Sequence, residues 1–264
     1  MVNADDFGFT RDVNAGIVEA HRHGILTATT LMANGQAFDD AVRLARETPT
    51  LDVGCHLVLV SGCSLLDPDR AFPLTVGELL KAVTLGRLRP YDELRAQIRR
   101  IVDAGIRPTH LDTHKHTHLF PPVLDAVARL AEEFGIHWVR RPFDLPITAA
   151  GVPWSKRMVS RGLQVVRRRF HRVLERHGCR TTDYFAGFQI TGRFNAADVA
   201  ALIRSLPDGS TEFMTHPGYH GPELEAARTR LKASRAAELA ALTSAQTREA
   251  LDESGVELTR YSKL

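Results

Sequence analysis

Short apolar runs alternate along the chain with longer stretches whose apolar positions recur every three or four residues. That is the pattern of a parallel sheet with crossover helices. Residues 2–4 end a first strand. A helix is predicted over 12–23, where Val13, Ile17, Val18 and Ala20 share a face and Gly24 supplies a stop. Residues 28–32 read as a second strand and 38–47 as a helix with Ala41, Val42, Leu44 and Ala45 inward. Residues 51–60 are apolar almost throughout, as buried parallel strands are. Further on, the spacing predicts helices over 91–104, 121–134, 196–205 and 223–243, and strands over 109–113, 137–140, 184–189, 212–215 and 256–258. Seven or eight strands suit a closed barrel better than a small open sheet.

Two stretches interrupt the alternation. Residues 61–90 are rich in Gly, Pro and turn formers and read as an insertion over one end of the domain. A second insertion spans about 141–183. Within it, residues 154–180 form a predicted helix with Val159, Leu163, Val166, Phe170 and Val173 on one stripe. Lys156, Arg157, Arg161, Arg167, Arg168, Arg169, Arg172 and Arg176 lie elsewhere around it. There is no internal repeat, so residues 1–264 are expected to form one α/β domain.

Composition changes this picture little. The 264 residues carry 34 Lys+Arg against 31 Asp+Glu and are 44% hydrophobic, ordinary for a soluble domain that needs no structural staple. No apolar run is long enough to cross a membrane, and no export signal is visible at residues 1–6. Three cysteines without CxxC spacing support neither a disulfide framework nor a four-cysteine zinc site, so a reducing cytoplasm is the expected location and the cysteines are expected to be small buried groups. Charge is uneven: residues 156–180 hold nine basic residues and one acidic, leaving 25 basic and 30 acidic elsewhere. A solvated helix face is the plain reading. An anionic substrate or peripheral contact with a membrane or glycolipid is the alternative, and nucleic acid is disfavoured for want of interleaved aromatics. The sequence leaves a homodimer open.

The candidate chemistry collects at or just after predicted strands, and in a parallel barrel those ends open on one face. Asp5-Asp6 follow the first strand. Burying adjacent carboxylates is costly unless a cation holds one, which leaves the other free as a base. His56 sits in an apolar strand, where a lone His is more often a hydrogen-bonded core residue than a ligand. In His110-Leu111-Asp112-Thr113-His114-Lys115-His116-Thr117-His118 the polar groups at even positions share a face while the chain stays extended. They are too many for one coordination sphere, so Asp112, His116 and His118 are expected to orient ligands or face substrate. His216, before Pro217-Gly218, is a candidate general acid.

These stretches, with Gly24 to Gly35 (which includes Asn34) and Gly54-Cys55-His56-Leu57, together resemble the YdjC-like carbohydrate deacetylases, a family that includes chitooligosaccharide deacetylases and the HpnK proteins. The resemblance runs in order through the first 145 residues and extends to His216; the basic middle region matches none of its motifs. It implies a distorted (β/α) barrel related to polysaccharide deacetylases. It also implies one divalent ion, magnesium or zinc, held by Asp6, His56 and His114, with Asp5 as general base and an N-acetylated sugar as substrate. Two rivals remain: a two-metal barrel phosphoesterase or amidohydrolase, and a non-catalytic sugar- or lipid-binding barrel.

Overall fold

The structure is a computed structural model and describes residues 1–145 and 154–264, apart from the side chains of Lys156, Ser160 and Arg161. In chain order it begins β1 (Val2–Phe7), α1 (Arg11–His23), β2 (Ala28–Leu31), α2 (Phe38–Glu47), β3 (Asp52–Leu57), α3 (Val76–Thr84) and α4 (Pro90–Asp103). There follow β4 (His110–Thr113), α5 (Pro121–Phe134), β5 (Trp138–Val139), α6 (Trp154–Leu163), α7 (Arg167–Arg176) and β6 (Tyr184–Ala186). The chain ends with α8 (Ala196–Arg204), β7 (Thr211–Thr215), α9 (Pro222–Ala226), α10 (Ala233–Thr243) and α11 (Ala245–Ser254).

All seven strands are parallel, in the order β5-β4-β3-β2-β1-β7-β6. The first strand is therefore interior, flanked by β2 and β7. Single bridges stitch the two edges together: Trp138 pairs with Arg180 and Asp144 with Phe185, and the Leu145 amide donates to the Phe185 carbonyl at 2.7 Å. The sheet thus curls into a distorted, incompletely bonded barrel wrapped by helices. Every residue of β1, β3 and β7 is buried, so the polar side chains they carry, Asn3, Asp5, Asp6, His56 and Glu212 among them, must find their partners inside the barrel.

Local chemistry sets the helix ends. Thr10 caps α1 by accepting from the Val13 amide, Thr75 and Glu78 form a capping box on α3, and Asn195 and Asp198 form one on α8. Pro121 opens α5 and left-handed Gly135 ends it.

Several expectations are corrected. Residues 256–258 are not a strand: β1 is already paired on both sides, by β2 and β7, and this segment joins neither edge of the sheet. The strands expected over 51–60 and 184–189 stop at Leu57 and Ala186. The helix expected over 223–243 breaks between α9 and α10, where the Thr229 hydroxyl accepts from the Leu231 amide and competes with helical bonding. The 61–90 insertion contains α3, and Cys63 within it is exposed, unlike buried Cys55 and Cys179. In the basic region, the helix is interrupted by a 3-10 turn at Gln164–Val166. The expected basic side chains of Lys156 and Arg161 lie outside the described residues.

Candidate active site

Where the strand ends open, a cavity of about 890 Å³ is lined by Asp5, Asp6, His56, His114, His116 and His216 together with Asn34 and residues of the 61–74 loop. Asp6 enters it through a backbone irregularity: the β1–β2 register slips between Ala4 and Phe7, and Asp6 is left-handed with φ of 69°. Asp is among the few residues that tolerate this conformation. Strand alternation would send adjacent side chains to opposite faces, but here Asp5 and Asp6 both reach the cavity.

His114 is presented by a second irregular turn. The chain leaves its extended path after Thr113, and Lys115 and His116 take left-handed angles with φ of 55° and 52°. Thr113 Oγ1 accepts from the His118 amide and lies 2.5 Å from His118 Nδ1, while His118 Nε2 donates to the Arg140 carbonyl at 3.0 Å. Buried and neutral, His118 is pushed by its burial down to about 3. It braces the turn and does not line the cavity. His110 likewise points elsewhere, bonding Asn3 Oδ1 at 2.9 Å and stacking on Tyr261. The even-position pattern of 110–118 therefore splits at Thr113.

Three donor atoms converge. Asp6 Oδ1 lies 3.4 Å from His56 Nε2 and 3.5 Å from His114 Nδ1, and the two nitrogens are 3.2 Å apart. Donors about 2.0–2.1 Å from a tetrahedral centre are separated by about 3.3–3.4 Å, so this triangle has the size of one coordination sphere. Asp6 Oδ1 is also buried without a hydrogen-bond partner. Its other oxygen accepts from Arg235. Asp112 Oδ1 accepts from His56 Nδ1 at 2.7 Å and turns Nε2 toward Asp6. Burial opposes charge on His56, but Asp112 and Asp6 outweigh it and raise its pKa to about 10, so a cation bound here competes with a proton.

A second cluster of Asp5, His56 and Asp112 is close enough to ligate, but a guanidinium already neutralises it. Arg140, fully buried, grips Asp5 with Nη1 to Oδ2 at 2.7 Å and Nη2 to Oδ1 at 2.6 Å. It also meets Asp112 at 2.6 Å and Glu212 at 2.7 Å. Asn3 adds a bond to Asp5 Oδ1 at 3.0 Å. Burial would raise the Asp5 carboxyl, yet Arg140 holds it well below the usual carboxylate range. Four buried carboxylates, Asp5, Asp6, Asp112 and Glu212, thus face two buried guanidiniums, an imbalance of charge that a divalent cation would correct.

His216 Nε2 stands 3.9 Å from Asp5 Oδ2, and its Nδ1 is buried without a bond. Its backbone amide donates to Glu238 Oε2 at 2.5 Å. Burial lowers His216 to about 4, despite the attraction of Asp5 and Asp6, so it is neutral near pH 7. Burial likewise raises Glu238 to about 7. His116 packs beside Phe185 and Phe188 with Nδ1 unbonded. Asn34 donates to the Cys63 carbonyl at 3.2 Å, tying β2's end to the insertion. Sequence reasoning missed Arg140, Arg235, Glu212 and Glu238. The doubled Arg140-Arg141 at a predicted strand end was the available signal for the first; the others carry none outside the fold.

A parallel barrel whose strand ends gather a carboxylate and two imidazoles beside a second, guanidinium-bound carboxylate defines a class of barrels with a candidate metal site at the strand ends. Within it, the chain belongs to the YdjC-like family, which matches residues 1–253. A carbohydrate deacetylase of Brevibacillus brevis is 36% identical over 275 aligned positions, covering 100% of this chain and 98% of that one. A chitooligosaccharide deacetylase of Salmonella typhimurium is 42% identical over 142, covering 52% and 56%. Among solved structures, an Enterococcus faecalis protein provisionally described as a cellobiose-phosphate cleavage protein superposes with a TM-score of 0.75 at 23% identity, covering 100% of this chain and 97% of that one. That likeness bears on the fold.

Proposed function

We propose that this protein is a metal-dependent hydrolase that removes the acetyl group from an N-acetylated amino sugar, releasing acetate. The observation that carries the reading is the unpartnered, buried Asp6 Oδ1 within 3.5 Å of two imidazole nitrogens, in a chain whose full-length relative is named a carbohydrate deacetylase. The cavity of about 890 Å³ sits toward the upper end of the range of about 300–1,000 Å³ for small-molecule sites, room for more than one sugar ring.

In this proposal Asp6, His56 and His114 hold one divalent ion, magnesium or zinc. When bound, the ion polarises the acetamide carbonyl and makes water a better nucleophile. Asp112 keeps His56 in the tautomer that offers Nε2. Arg140 and Asn3 occupy three of the four lone-pair directions of Asp5, leaving Oδ2 the oxygen able to take a proton from the attacking water. His216, 3.9 Å from Asp5 Oδ2, passes the proton that Asp5 has taken from water on to the departing amine, so that Asp5 and His216 both end the cycle as they began it. Phe9, Phe72 and Phe188 give the cavity apolar walls for sugar faces.

A specific observation favours a second assignment of the base. Arg140 makes Asp5 a weak base, whereas His216 is neutral and 3.9 Å away, so His216 could take the proton from water and return it to the amine while Asp5 stabilises the imidazolium. Acetate release from N-acetylated oligosaccharides, with metal content measured on the same samples, separates these. Asp5→Asn with metal retained and turnover abolished supports Asp5 as base. A loss of only about 10- to 100-fold, with His216→Ala inactive, supports His216. His114→Ala is expected to lose both metal and turnover. Binding of sugars without acetate release, in protein loaded with metal, would overturn the enzymatic reading.

A further inference from the structure

The segment from α6 through α7 buries little of its apolar surface. Among the described side chains of this segment, Phe170 and Leu174 are the fully covered ones, Phe170 against Phe143 and His118. On the other side, Trp154 and Met158 lie one turn apart on α6, and Val165 follows in the 3-10 turn that joins α6 to α7. They are 76%, 47% and 85% exposed. Val159 and Val166 flank them, also exposed. Clustered exposed side chains of this size mark an interaction surface. The same outward side continues along α7 with Arg168, Arg169, Arg172 and Arg176, all exposed and without an ion pair among the described residues. Glu175 is the one acidic residue between positions 156 and 180, against nine basic ones.

We propose that this face docks on the surface of a bilayer containing anionic phospholipid, with Trp154, Met158 and Val165 entering the headgroup boundary and the arginines of α7 meeting phosphates. Apolar side chains beside a dense, unpaired positive charge fit that surface on both counts. A second copy of the chain fits poorly, because two faces of this charge would repel. Nucleic acid fits poorly as well, since Trp154 is the one aromatic among the exposed groups of α6. The contact is peripheral: no helix among the described residues is long and apolar enough to cross a membrane. The inference stands independently of the deacetylase reading.

Flotation of the full-length protein with vesicles of phosphatidylcholine, alone or mixed with phosphatidylglycerol, tests it. The protein is expected to float with the mixed vesicles at low salt, not with phosphatidylcholine alone, and to be released by salt. Reversing Arg168→Glu, Arg169→Glu and Arg172→Glu together is expected to weaken partition on the order of a hundredfold or more, at about fivefold per lost charge. Trp154→Ser with Met158→Ser is expected to weaken it with the basic residues intact. Circular dichroism and thermal melting confirm that each variant is folded. No flotation of the folded protein at low salt, or equal flotation of the arginine variant, would overturn the proposal. So would an oligomer, seen by sedimentation, that the same substitutions dissociate while vesicles remain unbound.

Discussion

Arg235 donates to Asp6 Oδ2 across 229 residues of sequence, and leaves Asp6 Oδ1 buried, unbonded and facing His56 and His114. One oxygen is fixed by the protein so that the other can be offered. Replacing Arg235 by Leu should leave a buried carboxylate unpaired, at a cost of about 3–5 kcal/mol in the metal-free protein. Because a cation at the site would supply part of the missing charge, added zinc should restore some of that stability. Urea unfolding of the variant with and without zinc checks both; an equal loss in the two conditions would count against a cation site at Asp6.

Asp112 holds His56 through Nδ1 at 2.7 Å. Asp112→Asn keeps the shape but weakens the acceptor, and it should lower metal affinity by about 10- to 100-fold. Titration with zinc against a competing chelator reads the change directly. An unchanged affinity would remove Asp112 from this role.

Gly16 lies in α1, where Gly→Ala normally stabilises a helix by roughly 0.5–1 kcal/mol. Here a Cβ would come within 2.5 Å of Gly218 Cα, in the loop just after His216. The sign should reverse: Gly16→Ala is expected to destabilise by about 1–3 kcal/mol and to displace His216. Unfolding free energy gives the first effect, and reduced acetate release with metal content unchanged gives the second.

Acid should unfold the metal-free protein. Burial lowers His118 to about 3 and His216 to about 4, and holds His110 and His116 well below the ordinary value of 6.5. Each is neutral when folded and protonates near 6.5 when unfolded, so between about 3 and 6.5 the unfolded state binds more protons and stability is lost as the pH is lowered. Asp5 and Asp6, held low by Arg140 and Arg235 against their burial, add to the loss below 3.8. Glu238, raised by burial from 4.5 to about 7, and Glu212, also raised by its burial, act in the opposite sense, but they are two carboxyls against four imidazoles. His56, raised to about 10, contributes stability that is complete below 6.5 and so does not alter the acid limb. The urea midpoint is expected to drop steadily from about pH 6.5 to pH 4; a flat profile would contradict the burial of these rings.

The order of strands and helices was legible because burial on both faces of a parallel sheet imposes continuous apolar runs, and amphipathic helices impose a period near 3.6. The same logic carried Asp5, Asp6, His56, His114 and His216 to one end of the barrel, since strand ends share a face. Local pattern could not show that His118 turns away to brace Thr113 and Arg140, because two left-handed residues at 115 and 116 break the alternation on which the pattern rests. It could not show that residues 256–258 join neither edge of the sheet. Nor could it find Arg140 and Arg235, whose charges acquire meaning beside carboxylates carried by the strands, Asp5 and Asp6 among them. Residue spacing within an element is a local property and can be read from the chain. The pairing of buried charges depends on which elements the curled sheet brings together, and only the tertiary structure decides it.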